Sequence, residues 1–283
     1  MAAGMLITIR EGLEAFLITG ILLSYLRKVD QRALASYVWA GTGAGVAASV
    51  ALALAFRALA LHFEEGNGAP LFELAASALA VPILSYMVLW MQRQARTIKG
   101  EIETRAAAAI SAGQLFTLTF LAFITVFREG LETAVFLSAL ATRAGGEGLL
   151  PGAMLGLLAA IVITYAYFAL TVKLNLRKFF VVTGTLLIFI AAGLCSHIFM
   201  ALHELGLPVI VEQVWSTKWL LDSESLTGRL LHAFIGYHDD PNLLQVLAYV
   251  GYLGGMGYAF FRAVRGSATA YAKQPARETT SRA

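Results

Sequence analysis

The sequence is poor in charge and nearly without cysteine. Only 14% of its 283 residues are charged, where about 25% is ordinary for a soluble domain. The apolar share is 58%, above the ordinary ~45–50%. Together these exclude a soluble globular domain and a disordered chain. A formal net charge of +3 is too small for a polyanionic partner, so the chain is not read as a nucleic-acid binder. The lone cysteine, Cys195, excludes an intrachain disulfide and any cysteine-pair metal or redox site. It stands in an apolar run and reads as a small buried hydrophobe.

What the chain does have is apolar length. A bilayer crossing takes about 20 predominantly apolar residues. Seven runs meet that need, roughly Met5–Leu26, Leu34–Leu61, Leu71–Met91, Leu115–Ala141, Leu149–Leu170, Phe179–Leu202 and Leu243–Phe261. The first has no basic leader and is interrupted by Arg10, Glu11 and Glu14, so it is not read as a cleavable signal peptide. The expected fold is an all-α membrane protein of seven transmembrane helices in a single polytopic domain over 1–265. Residues 266–283, rich in Ser, Thr, Ala and charge, are expected to form a disordered cytoplasmic tail.

Lysine and arginine in short loops set orientation. They cluster after runs 1, 3, 5 and 7, for example Arg27, Lys28 and Arg32, Arg93 and Arg96, Arg177 and Lys178, Arg262 and Arg265. The opposite side carries only Arg57, Arg143, Lys218 and Arg229. The N-terminus is therefore placed outside and the C-terminus inside. All five histidines and most acidic residues fall toward the outer side. Between the runs, 92–114 reads as two helix ends joined near Gly100. In the outer segment 204–242, Leu226–Tyr237 reads as a short helix capped by Ser225 or Thr227. Gly41, Gly43 and Gly45 in the second run allow close backbone approach to a neighbour, and Pro82 is a candidate kink in the third.

One motif occurs twice. Arg10-Glu11-Gly12-Leu13-Glu14 lies in run 1 and Arg128-Glu129-Gly130-Leu131-Glu132 in run 4, 118 residues apart. The same shift carries run 2 onto run 5 and run 3 roughly onto run 6. Three crossings separate the copies, so the chain reads as an inverted 3+3 repeat, about 4–92 and 114–203, with a seventh helix at 243–262. Transporters built on such repeats place the substrate at the repeat interface near mid-membrane. Glutamates at i and i+3 share a helix face, and Gly12 and Gly130 are expected to let runs 1 and 4 approach each other. Four carboxylates, Glu11, Glu14, Glu129 and Glu132, thus converge with Arg10 and Arg128 as supporting groups. A charge at the bilayer centre costs about 2.5–3.5 kcal/mol or more. The two excess negative charges would be offset by a passing cation, and carboxylate oxygens suit hard or borderline metal ions. An Arg–Glu salt bridge alone would explain one glutamate per motif, not the second and not the duplication.

These residues resemble the oxidase-dependent iron permease family, in its fungal and bacterial branches. The likeness extends to Trp90-Met91-Gln92-Arg93-Gln94-Ala95-Arg96 with Lys99-Gly100-Glu101, and to Leu220-Leu221-Asp222-Ser223-Glu224-Ser225 through Leu231-His232-Ala233-Phe234-Ile235-Gly236-Tyr237. The bacterial branch is the closer, because no long histidine- or glutamate-rich extension is present. The resemblance implies iron as transported substrate, no cofactor, the motif glutamates as iron ligands, residence in the cytoplasmic (inner) membrane, and an external oxidase or peroxidase partner with an iron-delivery protein. Composition and spacing alone stop at a metal cation transporter and leave another divalent ion, such as manganese or lead, open. Hard carboxylates favour ferric ion, yet a transport site must also release its cargo, so ferrous and ferric both stand. A membrane-embedded carboxylate metalloenzyme is the reading from a different class. Such bundles supply Glu-x-x-His pairs, which neither motif contains.

Weaker candidates form an outer relay. His197, His203 and Glu204 lie near the outer end of run 6, with His197 and Met200 at i, i+3. Asp222 and Glu224 resemble an acidic outer-loop motif of the fungal relatives, and equally suit a solvated helix start.

Overall fold

The computed structural model describes residues 1–65, 68–94, 98–111, 115–143, 148–169, 176–206, 208, 211, 213–219 and 225–273. Those residues form nine α-helices and a short 3-10 turn, with no strand among them. The helices are α1 (Ala2–Lys28), α2 (Ala35–Glu65), α3 (Ala69–Gln94), α4 (Ile98–Ser111), α5 (Leu115–Arg143), α6 (Leu149–Ala169), α7 (Leu176–Glu204), α8 (Leu226–Ile235) and α9 (Leu243–Lys273). Within α2, α3, α6, α7 and α9 lie five segments long and apolar enough to cross a membrane. α1 and α5 match them in length, at 27 and 29 residues. Each differs by carrying an arginine and two glutamates at its middle.

Local chemistry explains the helix ends. α1 stops where Asp30 adopts a left-handed φ of 56°, a conformation Asp tolerates because its short polar side chain bonds locally. Gln31 N–H then donates to Leu26 O at 2.8 Å, closing the last turn, while Arg27 and Lys28 face the negative helix end. At α8, Ser225 Oγ accepts from Gly228 N–H at 2.9 Å and Gly236 ends the helix at φ 72°. Ser225, not Thr227, is the cap. Pro82 lies inside α3 without ending it.

The packing is reciprocal. α1 lies mainly on α6, α5 mainly on α2, and α3 on α7, which also carries α9. α7 is central, with 61% of its apolar segment buried, whereas α2 is peripheral at 6%. The outward faces of α2 and α6 present Trp39, Val50, Leu54, Met154, Leu158 and Val162, a surface suited to lipid and costly in water. Inside, Leu84, Phe136, Leu187, Ile190 and Leu194 join α3, α5 and α7 in one apolar core.

Glycines set the closest approaches. A Cβ on Gly45 of α2 would stand 3.0 Å from Phe123 O and 3.0 Å from Val126 Cβ of α5. A Cβ on Gly156 of α6 would stand 2.5 Å from Met5 O and 3.0 Å from Thr8 Cβ of α1. Gly41 likewise meets the Thr119 carbonyl, whereas Gly43 faces open space.

One expectation is corrected. Gly100 is not a joint: it lies in the first turn of α4, a separate 14-residue helix whose Ile102, Ala106 and Ala109 pack on Leu22, Leu26, Leu118 and Ala122. The chain beyond Arg265 continues as helix to Lys273. Residues 274–283 of the expected tail lie outside the described residues.

Candidate metal site

The motif is a helix-surface device. One turn brings residue i beside i+4, so an arginine reaches both the adjacent glutamate and the one a turn later. In α1, Arg10 Nη1 donates to Glu11 Oε1 at 2.8 Å and Nη2 lies 3.2 Å from Glu14 Oε1. Arg10 Nη1 also donates to Met87 Sδ at 3.0 Å, which ties the guanidinium to α3. In α5, Arg128 Nε donates to Glu129 Oε1 at 3.0 Å and lies 3.7 Å from Glu132 Oε1. The Arg128 guanidinium sits 4.7 Å over the Trp90 ring, a favourable cation–π placement.

α1 and α5 bring the two motifs face to face. Glu11, Glu14 and Glu129 each offer a carboxylate oxygen within 4.8 Å of the other two. Ligands on opposite sides of an ion, at about 2.1 Å each, stand ~4.2 Å apart, so a small side-chain adjustment lets all three reach one ion. Glu132 joins the cluster one turn along from Glu129's neighbour Arg128 but is not among those three. The arginines occupy one side of each carboxylate. On the other side, Glu11 Oε2, Glu14 Oε2, Glu129 Oε2 and Glu132 Oε2 are buried and make no hydrogen bond. A buried acceptor left unmade costs about 1–3 kcal/mol, more when charged. Such a set of hard oxygens is chemically suited to a cation.

The motif glycines do not face one another, contrary to the sequence expectation. Gly12 abuts Ala160 of α6, 2.9 Å from where its Cβ would stand, and Gly130 abuts Ser49 of α2. The reason is angular. At about 100° per residue, a glycine between glutamates at i and i+3 points roughly 130° away from their shared face. The same five residues thus bind two neighbours: glutamates toward the opposite motif, glycine toward the outer helix.

The outer relay residues are only partly brought together. His197 is buried at 7% exposure and its Nε2 lies 3.4 Å from Glu73 Oε2. His203 and Glu204 are exposed at the end of α7, and Asp222 and Glu224 lie outside the described residues. Three contacts were missed from sequence: Glu73 with His197, and Met87 and Trp90 against the arginines. The i, i+3 spacing of Met87 and Trp90 signalled a shared face, but nothing in α3 alone showed what that face meets. A cavity of about 310 Å³ lies elsewhere, lined by Trp215, Tyr237, His238 and Tyr249 among others. Its lining holds no carboxylate among the described residues.

Comparison with known proteins points the same way as the motifs. The chain matches the family described as "Iron permease FTR1 family" over residues 1–274. It is similar to the ferrous iron permease EfeU of Yersinia pestis, 34% identical over 275 residues that cover 95% of this chain and 97% of the relative. The protein of the same description from Escherichia coli O6:K15:H31 is 33% identical over 270 residues, covering 94% of this chain and 97% of the relative. No solved structure matches the chain.

Proposed function

The chain belongs to the iron permease FTR1 family, and from that membership we propose how it carries iron. It is a multi-pass membrane transporter, not an enzyme, and iron ions are its substrate. The proposed path runs through the gap between α1 and α5, with Glu11, Glu14, Glu129 and Glu132 as ligands. Arg10 and Arg128 hold and orient those carboxylates. The observation that carries this is the convergence of Glu11, Glu14 and Glu129 from two distant motifs to within 4.8 Å. The relatives are ferrous iron permeases by name, which supports ferrous ion as the species offered to the site. An external oxidase or peroxidase and an iron-delivery protein are the proposed partners, on the resemblance alone.

The proposed frame has seven crossings: α1, α2, α3, α5, α6, α7 and α9. α1 and α5 cross despite three mid-helix charges each, because each arginine pairs with both glutamates of its own motif. Basic residues at 27, 28 and 32, and again at 93, 99 and 105, against only Arg57, Arg143, Lys218 and Arg229 opposite, support an N-terminus outside and a C-terminus inside. The proposed membrane is the cytoplasmic (inner) one.

The close contacts support an inverted repeat over about 4–92 and 114–203, with 204–242 outside and helix seven from 243. Phe123 and Val126 follow Met5 and Thr8 by 118 residues, and Gly156 follows Gly45 by 111. The Gly45 contacts are therefore the Gly156 contacts with the repeats exchanged. Gly12 on Ala160 and Gly130 on Ser49 obey the same two shifts. A pseudo-two-fold of this kind allows one repeat to rock against the other and expose the site alternately.

Glu14→Ala and Glu132→Ala test the site. Each removes a carboxylate in excess of its arginine. Iron uptake into proteoliposomes should fall by about a hundredfold or more, as for loss of a group that stabilises the passing charge. Wild-type uptake by either variant at normal expression overturns the four-carboxylate path.

A further inference from the structure

His197 is a buried imidazole with no ordinary explanation. It lies in α7, 7% exposed, and neither ring nitrogen makes a hydrogen bond. Leaving a buried polar atom unpaired costs about 1–3 kcal/mol, and a neutral imidazole here leaves a donor and an acceptor unmet. The facing group is Glu73 of α3, whose Oε2 lies 3.4 Å from His197 Nε2 without hydrogen-bond geometry. One turn further along α3, on the same face by i, i+4 spacing, Ser77 is fully buried and its Oγ is also unpartnered.

The separation decides what this pair is suited to. A charge-assisted N–H···O bond is about 2.7–2.9 Å long, so 3.4 Å is too far for a formed ion pair of that kind. Two ligands at about 2.1 Å from one ion, at the tetrahedral angle, stand ~3.4 Å apart. The nitrogen and oxygen are therefore spaced as ligands of a shared cation. Mixed imidazole and carboxylate donors suit borderline divalent ions, ferrous iron among them.

We propose that Glu73 and His197, with Ser77 beside them, form a second divalent-cation site, separate from the four-glutamate cluster. It sits one turn into α3 from Ala69. Met87, the α3 residue that touches Arg10, lies 14 residues further on, which is about 21 Å along the helix. The station thus stands between the end of the bundle and the motif cluster. That it loads iron before the motif site rests on the permease reading and its orientation; that it binds a divalent ion does not. A two- or three-ligand site binds weakly, which suits an ion that must move on.

Nitrogen separates this site from the other. Mn²⁺ held by Glu11, Glu14 and Glu129 has oxygen ligands only, whereas Mn²⁺ at His197 couples to an imidazole ¹⁴N. Pulsed electron paramagnetic resonance on the full-length protein in detergent micelles, titrated with Mn²⁺, should show histidine ¹⁴N modulation in the wild type. His197→Gln should remove it while an oxygen-only Mn²⁺ signal remains. Glu73→Gln, which leaves the imidazole in place, should remove it as well. In proteoliposomes His197→Gln should raise KM for Fe²⁺ by about tenfold with kcat within about twofold, the pattern of lost binding rather than lost barrier crossing. No ¹⁴N modulation in the wild type, or modulation unchanged in His197→Gln, overturns the second site. Loss of the oxygen-only signal with the ¹⁴N signal intact would instead overturn the motif cluster.

Discussion

Arg10 and Arg128 begin the same five-residue motif on helices of similar length, yet their side chains are 1% and 41% exposed. Glu14 is 1% exposed on its side chain and Glu132 13%. Local sequence makes the two identical, and within each motif the arginine-to-glutamate pairing is the same. What differs is supplied by α3, which belongs to neither motif. Its Met87 closes over Arg10 and its Trp90 lies beneath Arg128 with one edge open. Motif one is thus the sealed half of the cluster and motif two the accessible half.

The comparison breaks most sharply at the arginines. Arg10→Gln strands two buried carboxylates, and removing one partner of a buried pair costs about 3–5 kcal/mol. Arg128→Gln strands the buried Glu129 as well, but the arginine it removes is 41% exposed, so solvent at that side offsets part of the loss. Thermal melts of purified protein should therefore show a larger loss for Arg10→Gln than for Arg128→Gln. Equal losses would mean the two motifs are equally buried in the working protein.

Glycine substitutions sharpen the reciprocal packing. Gly45→Val and Gly156→Val each push a side chain into the backbone of the facing helix, at Phe123 and Met5. Overpacking of this kind costs about 1–3 kcal/mol. A Cβ added at Gly43 meets nothing within 4 Å, and Gly43→Val should melt as the wild type does. A silent Gly156→Val beside a damaging Gly45→Val would break the exchange of contacts between the repeats. The smallest effect is expected at Trp90→Leu, which removes a cation–π contact of about 0.5–1 kcal/mol. It should change KM for iron by about two- to fivefold and leave the melt unchanged, and a larger loss would make Trp90 part of the path.

Much of the frame was legible because membrane helices announce themselves by length and apolarity, and because a five-residue repeat is rare by chance. That Glu11, Glu14 and Glu129 meet was legible from the i, i+3 spacing and the duplicated motif, and Ser225 was legible as a cap from its own chemistry. What was not legible depends on partners distant in sequence. Gly12 looked like a contact between α1 and α5, but the angle between it and the glutamates sends it to Ala160. Gly100 reads as a breaker in isolation, yet α4 runs through it because Ile102, Ala106 and Ala109 find an apolar seat on α1 and α5. Glu73 had no mark as a functional residue until α7 placed His197 opposite it.

The central claim is that both motifs serve one ion. Crystals of the protein soaked with Mn²⁺ as a stand-in for ferrous iron test it through the anomalous difference map. The account predicts a peak between α1 and α5 with oxygens of Glu11 or Glu14 and of Glu129 at bonding distance, about 2.0–2.2 Å. Separate peaks, one at each motif with no ligand from the other, or no peak in the gap at saturating Mn²⁺, would contradict it.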